Sequence, residues 1–123
     1  MLLAIAACKS SIKPEAVIGK WKYIKVENPY SPNPPDTVSA MEIIEKTPYL
    51  QLSANGDLLM MWGGKVLSHG KYSIKGNYIQ YTETMADGKT RQFPFFISKL
   101  TDTQIIFETK EDDPVRVTAQ KVK

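Results

Sequence analysis

Two residue types that carry much of protein chemistry occur once each in this chain: Cys8 is its single cysteine and His69 its single histidine. A catalytic histidine needs a nucleophile and an orienting partner. His69 lies between Ser68 and Gly70, in a context more typical of a surface or rim residue. Structural zinc takes four cysteine or histidine ligands, which this chain does not have. We therefore expect no metal, no cofactor and no enzymatic activity.

The residues around Cys8 indicate processing and lipidation of the N-terminus. Residues 2–7 are apolar, Ala6 and Ala7 directly precede the cysteine, and polar residues follow it. Small residues at this place are what a signal peptidase requires, and the run is far shorter than the roughly 20 residues that span a bilayer. The segment IAAC, which ends at Cys8, resembles the lipobox of bacterial lipoproteins. In that family the cysteine sulfur carries a diacylglyceryl group and cleavage falls just before it.

The lipobox resemblance implies a division of the chain. Residues 1–7 are then the end of a signal peptide, residues 8–14 a lipidated tether, and residues 15–123 the folded domain. A signal peptide begins with positive charge, which is missing here, so we expect translation to start upstream of Met1. The implied location is the outer membrane of a Gram-negative bacterium, with the protein anchored through Cys8 and facing the periplasm or the surface. The alternative is a short apolar strand with a buried thiol.

Length, composition and charge indicate a single globular domain and argue against a nucleic-acid-binding protein. A chain of 123 residues suits one domain. Its 42% hydrophobic and 24% charged residues are an ordinary globular composition, and its net charge of +3 is weak. Lys20, Lys22 and Lys25 alternate with apolar residues, as on a solvated strand face. A nucleic-acid surface needs a concentrated basic stripe, so we expect no nucleic-acid partner.

From residue 18 onward, short strand-like segments alternate with turn signals. The strongest signals are Asn55-Gly56, Gly76-Asn77 and Asp87-Gly88. Strands at this spacing predict an all-β sandwich or barrel, and closing into a barrel removes every exposed sheet edge. We expect about eight antiparallel strands in an up-and-down barrel, with the last strand, VRVTAQKV, paired with the first, IGKWKYIKV.

Two segments depart from the strand pattern. Residues 14–17, which begin with a proline, predict one helical turn. Residues 37–47 are ambiguous, because Ser39 and Glu42 form a capping-box pattern while Ile43-Ile44 suits a strand. We slightly favour a strand with an irregular start for residues 37–47.

The strand series carries a family resemblance that covers residues 15–122. Gly19-Lys20-Trp21 resembles the Gly-x-Trp opening of lipocalins. The later segments LQLSANGDLLMMW, GKYSIKGNYIQY and ISKLTDTQIIFET are similar to those of small lipocalin-like lipoproteins of Bacteroidetes. The resemblance implies an eight-stranded calycin barrel over residues 15–123, with Trp21 inside its closed end.

The same resemblance implies how the two ends of the barrel are built. Classical lipocalins stack an arginine from the final strand on the tryptophan. Here Lys121 lies closer to the expected place than Arg116, so a lysine replaces the usual arginine. A cation over an indole contributes about 0.5–2 kcal/mol. Residues 28–37 form the first loop, which is expected to cover the open end and which contains Tyr30, Pro32 and Pro35.

The implied function is the binding of a small hydrophobic or amphipathic ligand inside the barrel. Strand alternation sends one set of side chains inward. The candidate cavity wall comprises Met60, Trp62, Tyr72, Ile79, Tyr81 and Phe95. The interiors of small barrels are commonly filled by side chains. In that case the alternative is a protein-interaction module, such as an inhibitor or an accessory subunit of an envelope complex, with a partner that the sequence does not identify.

Overall fold

The strands of this chain close into one antiparallel barrel. The computed structural model describes residues 12–29, 38–110 and 114–123. In these ranges the strands are β1 (Gly19–Glu27), β2 (Tyr49–Leu52), β3 (Asp57–Trp62), β4 (Lys65–Lys75), β5 (Tyr78–Thr84), β6 (Thr90–Leu100), β7 (Gln104–Thr109) and β8 (Arg116–Lys121). Each strand pairs antiparallel with its neighbours along the chain, and β8 pairs with β1. The predicted up-and-down barrel is confirmed.

Two of the predicted turn signals close hairpins by the same local chemistry. In the β2–β3 turn the side chain of Asn55 accepts a hydrogen bond from the backbone N–H of Asp57 at 3.1 Å, and Gly56 has a φ of +94°. In the β5–β6 turn Asp87 accepts from the N–H of Lys89 at 2.9 Å. Asn and Asp side chains stabilise turns in this way, and glycine accepts the positive φ without steric cost.

The first residues of the domain pack against one end of the barrel. Residues Pro14–Val17 form a 3-10 turn, which confirms the predicted helical turn. The turn places Val17 in the core, where its carbonyl oxygen accepts a hydrogen bond from Nε1 of Trp21 at 2.9 Å. The N–H of Ile12 also donates to the carbonyl of Gly76, in the β4–β5 turn at this same end.

The barrel interior has two halves along its axis, which differ in how tightly their side chains pack. The closed half lies beside the 3-10 turn and consists of tightly packed side chains, each at most 3% exposed: Val17, Trp21, Leu50, Leu52, Leu58, Ile79, Ile97, Ile105 and Ala119. The open half is nearer the C-terminal end of β1 and contains larger and more polar side chains. Both halves belong to one continuous core, because alternate residues of every strand point inward.

One element differs from its expectation. Residues Ala40–Lys46 form a helix, α1, so the slight preference for a strand in this segment was wrong. The side chain of Ser39 accepts a hydrogen bond from the N–H of Glu42 at 3.1 Å, and the αL conformation of Thr47 ends the helix. Only Ile43 of this helix is buried, so the cap determined the structure rather than the paired isoleucines. Within the described ranges no helix is long and apolar enough to cross a membrane.

Candidate functional site

A cavity of about 360 Å³ opens at the mouth of the barrel. Its aromatic lining consists of Tyr23, Tyr81, Phe93, Phe95 and Phe107. Its polar lining includes Ser68, Glu83, Arg91 and Thr109, and its aliphatic lining includes Met60, Leu67, Val115 and Val117. Because these residues come from β1 and from β3 to β8, closure of the barrel is what assembles the site.

The floor of the cavity is a band of aromatic rings. Tyr81 stacks on Phe95 with ring centroids 5.8 Å apart, and Phe95 contacts Phe107 at 5.5 Å. Phe107 meets Tyr23 edge-on at 6.3 Å, and Tyr23 meets Trp62 edge-on at 6.5 Å. Offset and edge-on pairs at these distances are favourable geometries. The band presents a large, rigid apolar surface between the packed closed half and the mouth.

A chain of hydrogen bonds runs up one wall of the cavity. The hydroxyl of Ser68 donates to Oε2 of Glu83 at 2.5 Å, and Nε of Arg91 donates to Oε1 of Glu83 at 2.7 Å. Ser68 has one hydroxyl proton and gives it to the carboxylate, so it accepts a hydrogen bond from the hydroxyl of Tyr81, 2.6 Å away. Tyr81, Ser68, Glu83 and Arg91 therefore form a connected polar network.

The backbone of β4 at Gly70 lies directly against the backbone of β5, beside the polar network. Gly70 lies two residues after Ser68 on β4 and is the register partner of Glu83 on β5. A Cβ atom at Gly70 would lie 2.0 Å from the carbonyl oxygen of Thr82. Only glycine fits at such an approach, so this residue sets the spacing of the two strands that carry Ser68 and Glu83.

The network keeps a buried carboxylate charged. The side chain of Glu83 is only 12% exposed, whereas that of Arg91 is 63% exposed. Burial by itself raises the pKa of Glu83, but the hydrogen bonds from Ser68 and Arg91 and the charge of Arg91 outweigh it, so the pKa is lowered. A buried charge is tolerated when it is paired and hydrogen-bonded in this manner. Burial also raises the pKa of Tyr81, so its phenol stays protonated and can donate to Ser68.

Tyr23 is the polar residue of the cavity that lacks a partner. It is 6% exposed and lines the cavity from β1. Its backbone N–H donates to the carbonyl of Pro48 at 3.0 Å. Its hydroxyl makes no hydrogen bond with any residue that the structure describes. Burial raises the pKa of the Tyr23 phenol far above its usual range, so the group is a neutral hydrogen-bond donor.

The structure brings together some of the candidate wall residues and not others. Met60, Tyr81 and Phe95 line the cavity, and Trp62 lies beside it against the ring of Tyr23. Tyr72 and Ile79 lie towards the closed half. The hydroxyl of Tyr72 donates to the carbonyl of Ser53, in the β2–β3 turn, at 2.8 Å, and Ile79 is fully buried. Strand alternation predicts that Tyr72 and Ile79 point into the barrel, but it does not predict their height along the barrel axis.

Trp21 and Lys121 meet at the closed end. The Nζ atom of Lys121 lies 5.2 Å from the centre of the Trp21 rings, in a cation–π arrangement. Gly19 makes room for it, because a Cβ atom there would lie 2.8 Å from Cε of Lys121. Gly19 also has a φ of +141°, which side chains rarely allow. The Gly-x-Trp spacing therefore places a gap beside the tryptophan for the lysine side chain.

Several predicted features fall outside the described residues. Cys8, with the signal peptide and most of the tether, precedes Ile12. Tyr30, Pro32 and Pro35 of the expected lid loop belong to the undescribed stretch of residues 30–37. Their expected roles stay predictions. His69, by contrast, is described, and its side chain is exposed on β4, next to the inward-facing Ser68.

Sequence reasoning missed the residues that give the cavity its polarity. Tyr23 could have been found, because it lies two residues after Trp21 and so points to the same side of β1. Glu83 also had a signal, since it continues the inward series of Ile79 and Tyr81 with a charged side chain. Arg91 carried no such signal, because its pairing with Glu83 depends on the β5–β6 register.

A surface patch of apolar side chains lies near the mouth. The carbonyl of Lys46, the last residue of α1, accepts a hydrogen bond from the N–H of Gly63 in the β3–β4 turn at 2.8 Å. Side chains that are more than half exposed project from α1 and from the start of β4, which follows this turn: Met41, Ile44, Val66 and Leu67. We call these four residues the apolar rim. Monomeric proteins usually keep such patches small, and larger ones mark interaction sites.

Comparison with known proteins gives no family for this chain. No protein-family model matches it, and no curated protein matches its sequence. The fold itself defines the class: an eight-stranded, antiparallel up-and-down β-barrel in the described residues, packed at one end and open at the other.

Proposed function

We propose that this protein is a membrane-anchored lipoprotein of a bacterial envelope that binds a small hydrophobic or amphipathic ligand in a lipocalin-like barrel. The observation that carries the proposal is the cavity of about 360 Å³ at the barrel mouth, floored by aromatic rings and edged by a satisfied polar network. Ligand sites are typically concave, largely apolar and about 300–1,000 Å³ in volume, with few polar groups. The cavity has each of these properties.

The size of the cavity limits the affinity to be expected. A ligand that removes roughly 300–400 Å² of apolar surface from water gains about 25 cal/mol for each Å². Part of that gain is lost to the ordering of the ligand. We therefore expect micromolar binding, which corresponds to about −8 kcal/mol.

The arrangement of the reactive groups supports a binding role rather than an enzymatic one. The Ser68 hydroxyl gives its proton to Glu83, and the Glu83 carboxylate is also bound by Arg91. These groups therefore satisfy one another instead of activating a nucleophile. The exposed His69 on the outer face of β4 makes none of these hydrogen bonds, and it acts on Glu83 only through its charge, which helps to lower the pKa of that carboxyl.

The anchor and the barrel fit together in one orientation. Ile12 is held at the closed end by its bond to Gly76. Four residues of chain reach at most about 14 Å, so a lipid on Cys8 would hold the closed end near the bilayer. The mouth would then face the aqueous space, where it can take up a ligand. Several acyl chains on one residue are enough for stable anchoring.

Detergent partitioning tests the anchor. The full-length protein, expressed with its native upstream signal, should enter the detergent phase, and Cys8→Ser should move it to the aqueous phase. Membrane association that survives Cys8→Ser would overturn the lipoprotein proposal.

Ligand binding is tested with a panel of fatty acids, sterols, bile acids and tetrapyrroles against the full chain by calorimetry. Met60→Trp should weaken the binding of any hit at least tenfold, because Met60 lines the cavity and the larger ring fills it. Met61→Trp is the matched control, since the neighbouring residue points to the opposite side of β3. No saturable binding, or equal losses in both variants, would contradict a ligand site at the mouth.

A second candidate function is a protein-interaction module, and the apolar rim favours it. In this case a partner protein covers α1 and the β3–β4 hairpin, and the cavity has no role. Ile44→Ser should then abolish crosslinking to an envelope partner, whereas Val122→Ser should leave it unchanged. Val122 is an exposed residue just after β8, at the closed end of the barrel, where its N–H donates to the carbonyl of Lys20. Loss of crosslinking in Ile44→Ser, together with a negative ligand panel, would support this alternative.

A further inference from the structure

The hydroxyl of Tyr23 makes no hydrogen bond with the described residues, but it is not a fully buried atom, so it is open to the cavity. A hydroxyl in such a place is hydrogen-bonded by water or by a ligand. Phenylalanine would fill the same place and keep the edge-on contacts with Trp62 and Phe107. The other two inward-facing tyrosines, on β4 and β5, do have partners, since Tyr81 bonds to Ser68 and Tyr72 to the carbonyl of Ser53. Tyr23 is thus the exception among the three.

The position of Tyr23 defines where the partner must sit. Trp21 precedes it by two residues on β1 and is fully buried in the closed half. Tyr23 is therefore the first inward residue of β1 above the packed floor, and it lines the cavity. A molecule that enters through the mouth meets Tyr23 at the deep end of the cavity.

On the opposite wall, the described polar groups deep in the cavity are already paired. There the Tyr81 hydroxyl and both Glu83 oxygens already have hydrogen bonds. The guanidinium of Arg91, whose Nε is bonded to Glu83, is mostly exposed at the mouth. The hydroxyl proton of Tyr23 is consequently the unused donor deep in the cavity, and the partner it needs is an acceptor.

We infer, on the basis of the proposed function, that the ligand is a largely apolar ring compound with a carbonyl-type oxygen at its leading end, and that the hydroxyl of Tyr23 donates a hydrogen bond to this oxygen. The flat body of the ligand lies along the aromatic band from Tyr81 to Tyr23. The satisfied network of Ser68, Glu83 and Arg91 forms the polar edge of the site and keeps its shape.

Two probes that differ in one oxygen test this assignment. Acetylnaphthalene and ethylnaphthalene, substituted at the same ring position, share a flat apolar body, but only the first carries a carbonyl. Their dissociation constants are measured by equilibrium dialysis on the full chain. Tyr23→Phe should weaken the ketone relative to the hydrocarbon by about threefold to tenfold, the amount expected for one neutral hydrogen bond. The affinity for the hydrocarbon should stay the same or rise.

The control is Tyr81→Phe, which removes a cavity hydroxyl already bonded to Ser68. It should leave the ratio of the two affinities unchanged. The infrared carbonyl stretch of the bound ketone gives an independent readout: it should lie at lower frequency in the wild type than in Tyr23→Phe, because a hydrogen bond weakens the C=O bond.

The outcomes separate this inference from the proposed function. If both probes bind and Tyr23→Phe does not change their ratio, Tyr23 binds only water, and the inference is overturned while the ligand site stands. A ratio changed by Tyr81→Phe alone would also overturn it. If neither probe binds the wild type but a larger compound of the panel does, the ligand site stands and the assignment of a ring ketone as its ligand is wrong. If none of the probes or panel compounds binds, the proposed ligand-binding function is contradicted as well.

Discussion

The closed and open halves of the barrel are built from the same strands but have different roles. In the closed half aliphatic side chains pack around Trp21, and the one polar atom of its indole bonds to the carbonyl of Val17. In the open half the inward positions of β4 and β5 hold Ser68 and Glu83, and the side chains enclose a cavity. The change from an aliphatic to an aromatic inward residue occurs within two residues on β5, β6 and β7.

The comparison shows that stability and the candidate binding site are located in different halves of the barrel. Buried apolar surface and close packing stabilise the fold, and the closed half supplies both. The open half gives up part of this stabilisation, because a cavity lacks packing contacts. Its shape is maintained instead by ring contacts and by the Ser68–Glu83–Arg91 bonds. Substitutions in the two halves should therefore have different consequences.

The largest expected effect is at Trp21. Trp21→Ala should lower the free energy of unfolding by about 3–5 kcal/mol, the range for truncation of a buried aromatic residue. Urea unfolding followed by circular dichroism measures this loss. A change below about 1 kcal/mol, the size of an ordinary surface effect, would mean that the closed half is not the stabilising half.

Next comes the network in the open half. Ser68→Ala leaves the Tyr81 hydroxyl and one Glu83 oxygen without their hydrogen bonds, so it should cost about 1–3 kcal/mol. Ser73→Ala, at an exposed position of the same strand, serves as the control and should change stability by less than about 0.5 kcal/mol. Equal losses in both variants would show that the network contributes nothing.

The dependence of stability on acid pH tests the same network through Glu83. The pKa of Glu83 is lower in the folded protein than in the unfolded chain, so its ionisation stabilises the fold above the unfolded value of about 4.3. This contribution is lost as the pH falls through the lower, folded pKa. The stability of the wild type should therefore drop more steeply below about pH 4.3 than that of Glu83→Gln. Parallel acid profiles for the two proteins would contradict the direction of the shift.

A smaller effect is expected at the closed end. Lys121→Met keeps an unbranched apolar chain over Trp21 but removes the cation, so it should cost about 0.5–2 kcal/mol. Lys75→Met, an exposed lysine at the end of β4, is the comparison. Indistinguishable stabilities of the two variants would leave the cation–π contact without an energetic role.

The smallest effect on stability is expected at Tyr23. Tyr23→Phe removes a hydroxyl that has no partner in the described residues, so stability should change by less than about 0.5 kcal/mol or should rise. Tyr81→Phe should be destabilising by about 1 kcal/mol, because its hydroxyl is bonded to Ser68. If Tyr23→Phe destabilises the fold as much as Tyr81→Phe, the Tyr23 hydroxyl has an internal partner and is not available to a ligand.

The closed half and the strand order could be predicted because their signals are local. Asn55 and Asp87 act within their own turns, and Gly19 lies two residues from the tryptophan that needs the gap. The same logic holds for α1, where the local cap between Ser39 and Glu42 decides the structure and the two adjacent isoleucines do not.

The candidate site could be predicted only in part, because its geometry is non-local. Ser68 and Glu83 are 15 residues apart, and Arg91 follows Glu83 by 8. Their meeting depends on the register of three strands. In addition, the β3–β4 register shifts between Met60 and Met61. Alternation therefore identified which side chains face inward, while the height of each one along the axis needed the closed barrel.

The most direct test of the account is the location of a bound ligand in the full chain. Methyl and aromatic chemical shifts are recorded with and without saturating acetylnaphthalene. We expect changes at Met60 and Phe95, which line the cavity, and none at Leu52 and Ile105 in the closed half. Changes confined to the apolar rim at Met41, or spread evenly through both halves, would contradict a ligand site at the barrel mouth.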